Sequence, residues 1–300
     1  MSGRRWGGWP GVVAAGCTVL VVGLQGARPS ASADVPPSPL YVTSGPLVQR
    51  LALSFDALVA DIYWIRAIQH FGSTRRSRDP GKQYDQLYPL LDLVTTLDPD
   101  FNIAYRFGAI FLAEIYPEGP GRPDQALALL EKGSAARPDR WQYLQDIGFI
   151  HYWWLRDYEA AAGWFLRASQ VPGASWWLET LAATTLTQGG NRDASRQLWQ
   201  QLGADADHDW MRQEASRRLA QLDALDDVDR LGSIVDAYAA RVGFPASWDE
   251  MVAAGLLPGT PVDPAGVPYA LEAPTRSIDV SSSSPLFPLP GAPPTLPPVP

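Results

Sequence analysis

The sequence predicts an all-α chain, an α-α superhelix of stacked helix pairs that carries a small C-terminal α+β hairpin appendage and a disordered Pro-rich tail. Three observations predict it. Apolar residues recur at helical spacing through most of residues 47–222. Small and apolar markers repeat at intervals close to 34 residues. Proline, glycine and paired acidic residues punctuate the chain where such helices must turn. Three hundred residues and an apolar fraction of 46% are enough for a proper core. The formal charge of −8 argues against a nucleic-acid partner, because phosphate binding rests on clustered Lys and Arg. A single cysteine excludes a disulfide framework, a thiolate zinc site and a CxxC redox pair.

Residues 1–33 read as an export signal. Arg4 and Arg5 precede an uncharged, mostly apolar run from Gly11 to Leu24, and Ala31-Ser32-Ala33 gives the small-x-small pattern of a cleavage site. The run is about 20 Å long as a helix, short of a hydrocarbon core of about 30 Å. The wider uncharged stretch 6–27 is long enough to tether the chain in a membrane instead. Lipidation at Cys17 is a third reading, weakened by the apolar residues that continue past it. Residues 34–46, rich in Pro and Ser, form a linker. The expected location is outside the cytoplasm, in a periplasm or at the periplasmic face of an inner membrane.

The helical domain spans 47–222. Leu51, Leu53, Phe55, Leu58, Ile62, Ile65 and Ile68 have helical spacing, Ser73–Lys82 is a basic loop, and Tyr84–Leu97 is a second helix ending at Asp98-Pro99. Gly108, Gly148 and Ala182 then sit between apolar residues, the last two 34 apart. Ala126, Ala161 and Ala194 recur at 35 and 33, as do Leu130, Phe165 and Leu198, and Pro138 and Pro172 lie 34 apart. The first interval is lengthened by IYPEGPGRP, residues 115–123. Asp209–Leu222 reads as a closing helix with Arg212, Arg217 and Arg218 on its polar face.

These residues resemble the tetratricopeptide repeat family. The clearest copy runs from Trp141 to Pro172, with Gly148, a turn at Asp157-Tyr158, Ala161, Phe165, Ala168 and Pro172. The next carries Leu181-Ala182, Gly189-Gly190, Ala194 and Leu198. The one before keeps Phe107-Gly108, Ala126, Leu130 and Pro138, with Gly133 where alanine is usual. The resemblance implies a TPR-like solenoid whose concave groove, lined by the first helix of each pair, binds a protein or peptide. On that register the groove residues are Asn102, Tyr105, Leu112, Gln142, Gln145, Phe149, Tyr152, Trp153, Trp176 and Glu179. Phe149, Trp153 and Trp176 compete with a core role. In Trp153-Trp154 and Trp176-Trp177, successive residues lie about 100° apart, so one of each pair must face outward.

Residues 223–283 form a different unit. Asp226–Val242 is an amphipathic helix, Ser247 and Glu250 stand at capping-box spacing, and Val267–Leu271 and Ser277–Val280 read as strands around a turn at 272–276. Gly243, Pro245, Leu256, Pro261, Asp263, Pro264, Gly266, Pro268 and Tyr269 resemble the end of type II secretion pseudopilins and related pilin-like proteins. Only the shape is implied, since the family's acidic calcium loop and N-terminal helix are missing. The tail 284–300, from a stretch with eight prolines after Ser281, is expected to be disordered or polyproline II.

No catalytic, cofactor or metal site is expected. His70, His151 and His208 lie far apart and lack ligand spacing, and no GxSxG, HExxH or phosphate-loop pattern occurs. Asp98/Asp100 and Asp226/Asp227 read as helix-end carboxylates that favour the dipole. Asp61 and Arg66, within DIYWIR, are either solvated flanks of a helix or a binding contact. The expectation is a non-catalytic interaction scaffold, serving cell-envelope assembly such as a pilus or secretion system. The alternative is a periplasmic hydrolase or glycan-binding protein on the same frame, which as an enzyme would need paired carboxylates where the groove offers Glu179.

Overall fold

The computed structural model describes residues 54–291; the export segment, the linker, residues 47–53 with Leu51 and Leu53, and the last nine residues, with the expectations placed on them, lie outside it. Ten α-helices and one two-stranded sheet occur among the described residues. Helices α1 (Asp56–Arg76), α2 (Leu87–Leu97), α3 (Asn102–Ala113), α4 (Pro123–Ala136) and α5 (Trp141–Ile150) are followed by a π-helical turn, His151–Leu155. Then come α6 (Tyr158–Ser169), α7 (Trp177–Gln188), α8 (Arg192–Ala204), α9 (Asp209–Ala239) and α10 (Trp248–Ala253). Strands β1 (Ala270–Glu272) and β2 (Ser277–Asp279) close the chain. From α1 to α9 each helix packs against the next in sequence, and α2 also meets α4 as α3 meets α5.

The second helices of two pairs start on equivalent caps. Asp157 Oδ1 accepts from the Ala160 amide at 2.9 Å, and Asn191 Oδ1 accepts from the Ala194 amide at 3.2 Å, each satisfying a donor that a helix start leaves open. Arg156, with φ 56°, turns the chain sharply between the π turn and α6. The repeat markers are packing devices. A Cβ on Gly148 would lie 2.5 Å from the Phe165 ring, so glycine there lets α5 and α6 approach around a fully buried phenyl. Ala161, Ala162, Ala182 and Leu186 complete that cluster.

The long connection at 115–123 braces the first pair. Tyr84 Oη donates to the Pro117 carbonyl at 3.0 Å, Tyr116 Oη to that of Pro80 at 2.6 Å, and Arg75 pairs with Glu118 at 2.8 Å. In α1 the core side is Ala60, Ala67 and Phe71, with Trp64 stacked on Phe111 and tilted against Phe101. The apolar series Leu58, Ile62, Ile65 and Ile68 faces outward, between 41% and 57% exposed.

Two expectations are corrected downstream. The closing helix and the next amphipathic helix are one, α9, because residues 222–226 (LDALD) contain no breaker and Ala224 is fully buried. The expected domain boundary at 222/223 therefore falls mid-helix. The start of the proline-rich tail is also ordered: Leu286 is buried, and Gln221 Nε2 donates to the carbonyls of Leu286 and Pro288 at 2.8 and 3.0 Å. Ser284 Oγ donates to Asp263, whose other oxygen accepts from the amides of Ala265 and Val267. The expected hairpin is present with Leu271 opposite Ile278, but its strands are shorter than the expected 267–271 and 277–280, and the first begins three residues later. It packs with Trp248, Met251 and Tyr269 on the C-terminal half of α9.

Charge ties α8 to α9. Arg192 and Arg196 both bond Asp226, at 2.9 and 2.6 Å. Desolvation pushes the Asp226 carboxyl up, but the two guanidiniums outweigh it and hold its pKa below the ordinary value. A depressed carboxylate contributes stability that is present above the unfolded pKa and lost as pH falls through the folded one. Half the side chain is exposed, so the expected loss is under about 1 kcal/mol. Thermal melts at pH 6 and pH 3 check it: Asp226→Asn should narrow the difference between the two midpoints.

Candidate functional site

The ten groove residues do not share one surface. Tyr105 and Leu112 are fully buried and offer nothing to a partner. Tyr105 packs edge-tilted on Tyr143 at 5.3 Å and donates to the Thr95 carbonyl at 3.2 Å, and burial pushes its phenol up to about 12. The physical reason is Gly133: a Cβ there would sit 2.9 Å from the Tyr105 ring, so the missing methyl makes the space that the ring fills. Gln145 is likewise buried. Phe149 stacks edge-on against Phe165 at 5.2 Å and belongs to the core. Asn102 and Gln142 are half-buried, each with an unpartnered side-chain oxygen. Tyr152 packs on Trp153 and Tyr158 and donates to Gln188 at 2.7 Å, while Trp153 is 39% exposed.

Trp176 and Glu179 are brought together. They line a cleft of about 700 Å³ between the start of α7 and the segment entering α9. A second recess of about 530 Å³ adjoins it and shares Trp176, Trp210 and Met211. Trp176, 65% exposed, meets Trp210, 49% exposed, edge-to-face at 5.2 Å. Trp199, almost wholly buried, forms part of the floor of the second recess. Glu179, Asp205 and Asp207 give the first recess an acidic lining, and His208 lies among them. Glu179 accepts from Ser169 Oγ at 3.3 Å.

Trp210, Asp205 and Asp207 escaped the sequence-derived groove. A signal for Trp210 was available: it follows Trp176 by 34 positions, Trp176 standing just before α7 and Trp210 in the first turn of α9. Trp141, one period earlier, contacts Trp177 at 6.1 Å. Indoles thus recur along the helix starts on this side of the chain.

Among the described residues no group of His, Cys, Asp and Glu is arranged to hold a metal ion. His151 lies in the π turn, and burial lowers its pKa, partly offset by the nearby carboxylate of Asp157. Burial likewise lowers His70. The best-defined ion pair, Arg106 with Asp146, bridges α3 and α5 as a two-pronged contact. Asp61 and Arg66 are both exposed, and Arg66 sits over the Tyr63 ring at 5.3 Å. No helix among the described residues is long and apolar enough to cross a membrane. Comparison with protein families, curated proteins and solved structures finds no match for the chain.

Proposed function

We propose that this protein is a non-catalytic interaction scaffold whose helix pairs stack as a tetratricopeptide-type solenoid, and that it holds a protein or peptide segment in the α7–α9 cleft. The observation that carries this reading is the pair of exposed, mutually supporting indoles beside Glu179, Asp205 and Asp207. Indole rings give contact area at small entropic cost and attract cations to their faces. Carboxylates around them add charge complementarity. The occupant that fits is a segment presenting Lys or Arg next to an apolar residue. The export-like start of the sequence supports a role outside the cytoplasm, with residues 6–27 as tether if they are retained. The pilin-like tail motif suggests cell-envelope assembly.

Panning the full chain against a random peptide library tests the reading. Enriched sequences should carry Lys or Arg, and Trp176→Ala or Trp210→Ala should weaken the best of them roughly tenfold or more. Absence of enrichment, or equal binding by both variants, would count against it. Indoles flanked by carboxylates also suit sugar rings, so a parallel glycan array separates the second reading: capture of glycans with no peptide enrichment would favour it.

A further inference from the structure

The outward series on α1 lies opposite that helix's core side. Leu58, Ile62 and Ile65 follow one another at four and three residues, with Phe55 three positions before Leu58 at the cap of the helix, the a/d spacing of a two-helix seam. All four are at least 46% exposed. Trp64 and Phe71 of α1 stack on Phe111 of α3, so the two helices meet through these rings. Ile103, Phe107 and Ile110 of α3, each at least 44% exposed, extend the apolar surface. With Ile68, these eight side chains together expose on the order of 800 Å², about one partner's share of a standard interface.

Charge selects the occupant. Asp61 and Arg66 flank the seam on its two sides, at the positions just before Ile62 and just after Ile65. In a parallel helix pair these are the g and e positions, and a g residue meets the e residue five places on in the other helix. The sequence separation from Asp61 to Arg66 is that five. Among the described residues Asp61 makes no ion pair, and Arg66 covers the Tyr63 ring.

We infer that the α1–α3 face binds a second copy of this chain, with the two α1 helices parallel and each Asp61 paired with the partner's Arg66. The interface is isologous, so both ion pairs form by one two-fold axis. It uses none of the cleft residues and stands apart from peptide binding.

Sedimentation of the full chain in detergent micelles tests this by charge exchange. The wild type should be dimeric at micromolar concentration. Asp61→Arg alone and Arg66→Asp alone each set like charges together and should weaken the dimer roughly tenfold. The double exchange, Asp61→Arg with Arg66→Asp, should restore it, and the two single variants mixed should dimerise with each other. Helical circular dichroism should be unchanged in all three. A monomeric wild type, or a dimer indifferent to the exchanges, would overturn the inference. So would wild-type monomers that instead bind vesicles of phosphatidylglycerol and phosphatidylcholine through Ile62 and Ile65.

Discussion

Phe165→Ala should destabilise the helical region by about 3–5 kcal/mol, the cost of removing a fully buried phenyl whose surroundings cannot close over the space. The ring has no exposed surface, contacts Phe149, and fills the gap that Gly148 leaves between α5 and α6. Gly148→Ala attacks the same joint from the other side by inserting a methyl 2.5 Å from the ring, with an expected cost of about 1–3 kcal/mol. Urea unfolding followed by circular dichroism reads both as lowered midpoints. Because the two act on one contact, the double variant should cost less than the sum of the singles. Additive costs would mean that Gly148 and Phe165 do not share a joint.

Truncation after Ser283 is the second large effect. It removes Leu286, worth about 1.5–3 kcal/mol of burial. It also deprives the buried Gln221 amide of both its acceptors, costing about 1–3 kcal/mol more. Asp263 loses its Ser284 partner as well. The C-terminal cluster of Trp248, Met251, Tyr269 and Val280 should therefore melt at a lower temperature, seen in near-ultraviolet circular dichroism. A chain truncated after Gly291, which keeps Ser284, Leu286 and Pro288, is the reference for that comparison.

The interior of the helical region was legible because its packing is written in small residues. Gly148, Ala161 and Ala182 stand at the sites of closest approach, and a period near 34 residues locates them without any structure. The groove was less legible because a helix register is precise only if every partner is typical. Gly133 leaves the space that the Tyr105 ring fills, and nothing in the local pattern around Tyr105 reports a residue twenty-eight positions away. On α1, apolar spacing alone identifies a stripe but not which side faces the core; Ala60, Trp64, Ala67 and Phe71 have the same period. The ordered start of the tail was hidden for another reason. Proline density describes the backbone, whereas Leu286 and the carbonyls beside it are held by Gln221, some 65 residues earlier. Of the cleft, Trp176 and Glu179 were readable, and Trp210 was missed although it repeats Trp176 one period on.

Hydrogen exchange of the full chain, with and without the best Lys- or Arg-bearing peptide from the library, places the occupant on the molecule. Slowed amides confined to residues 174–181 and 205–214 are the expected outcome. Protection along α1 and α3 instead, or at the hairpin of β1 and β2, would show that the indole-lined cleft is not where this protein takes hold of its partner.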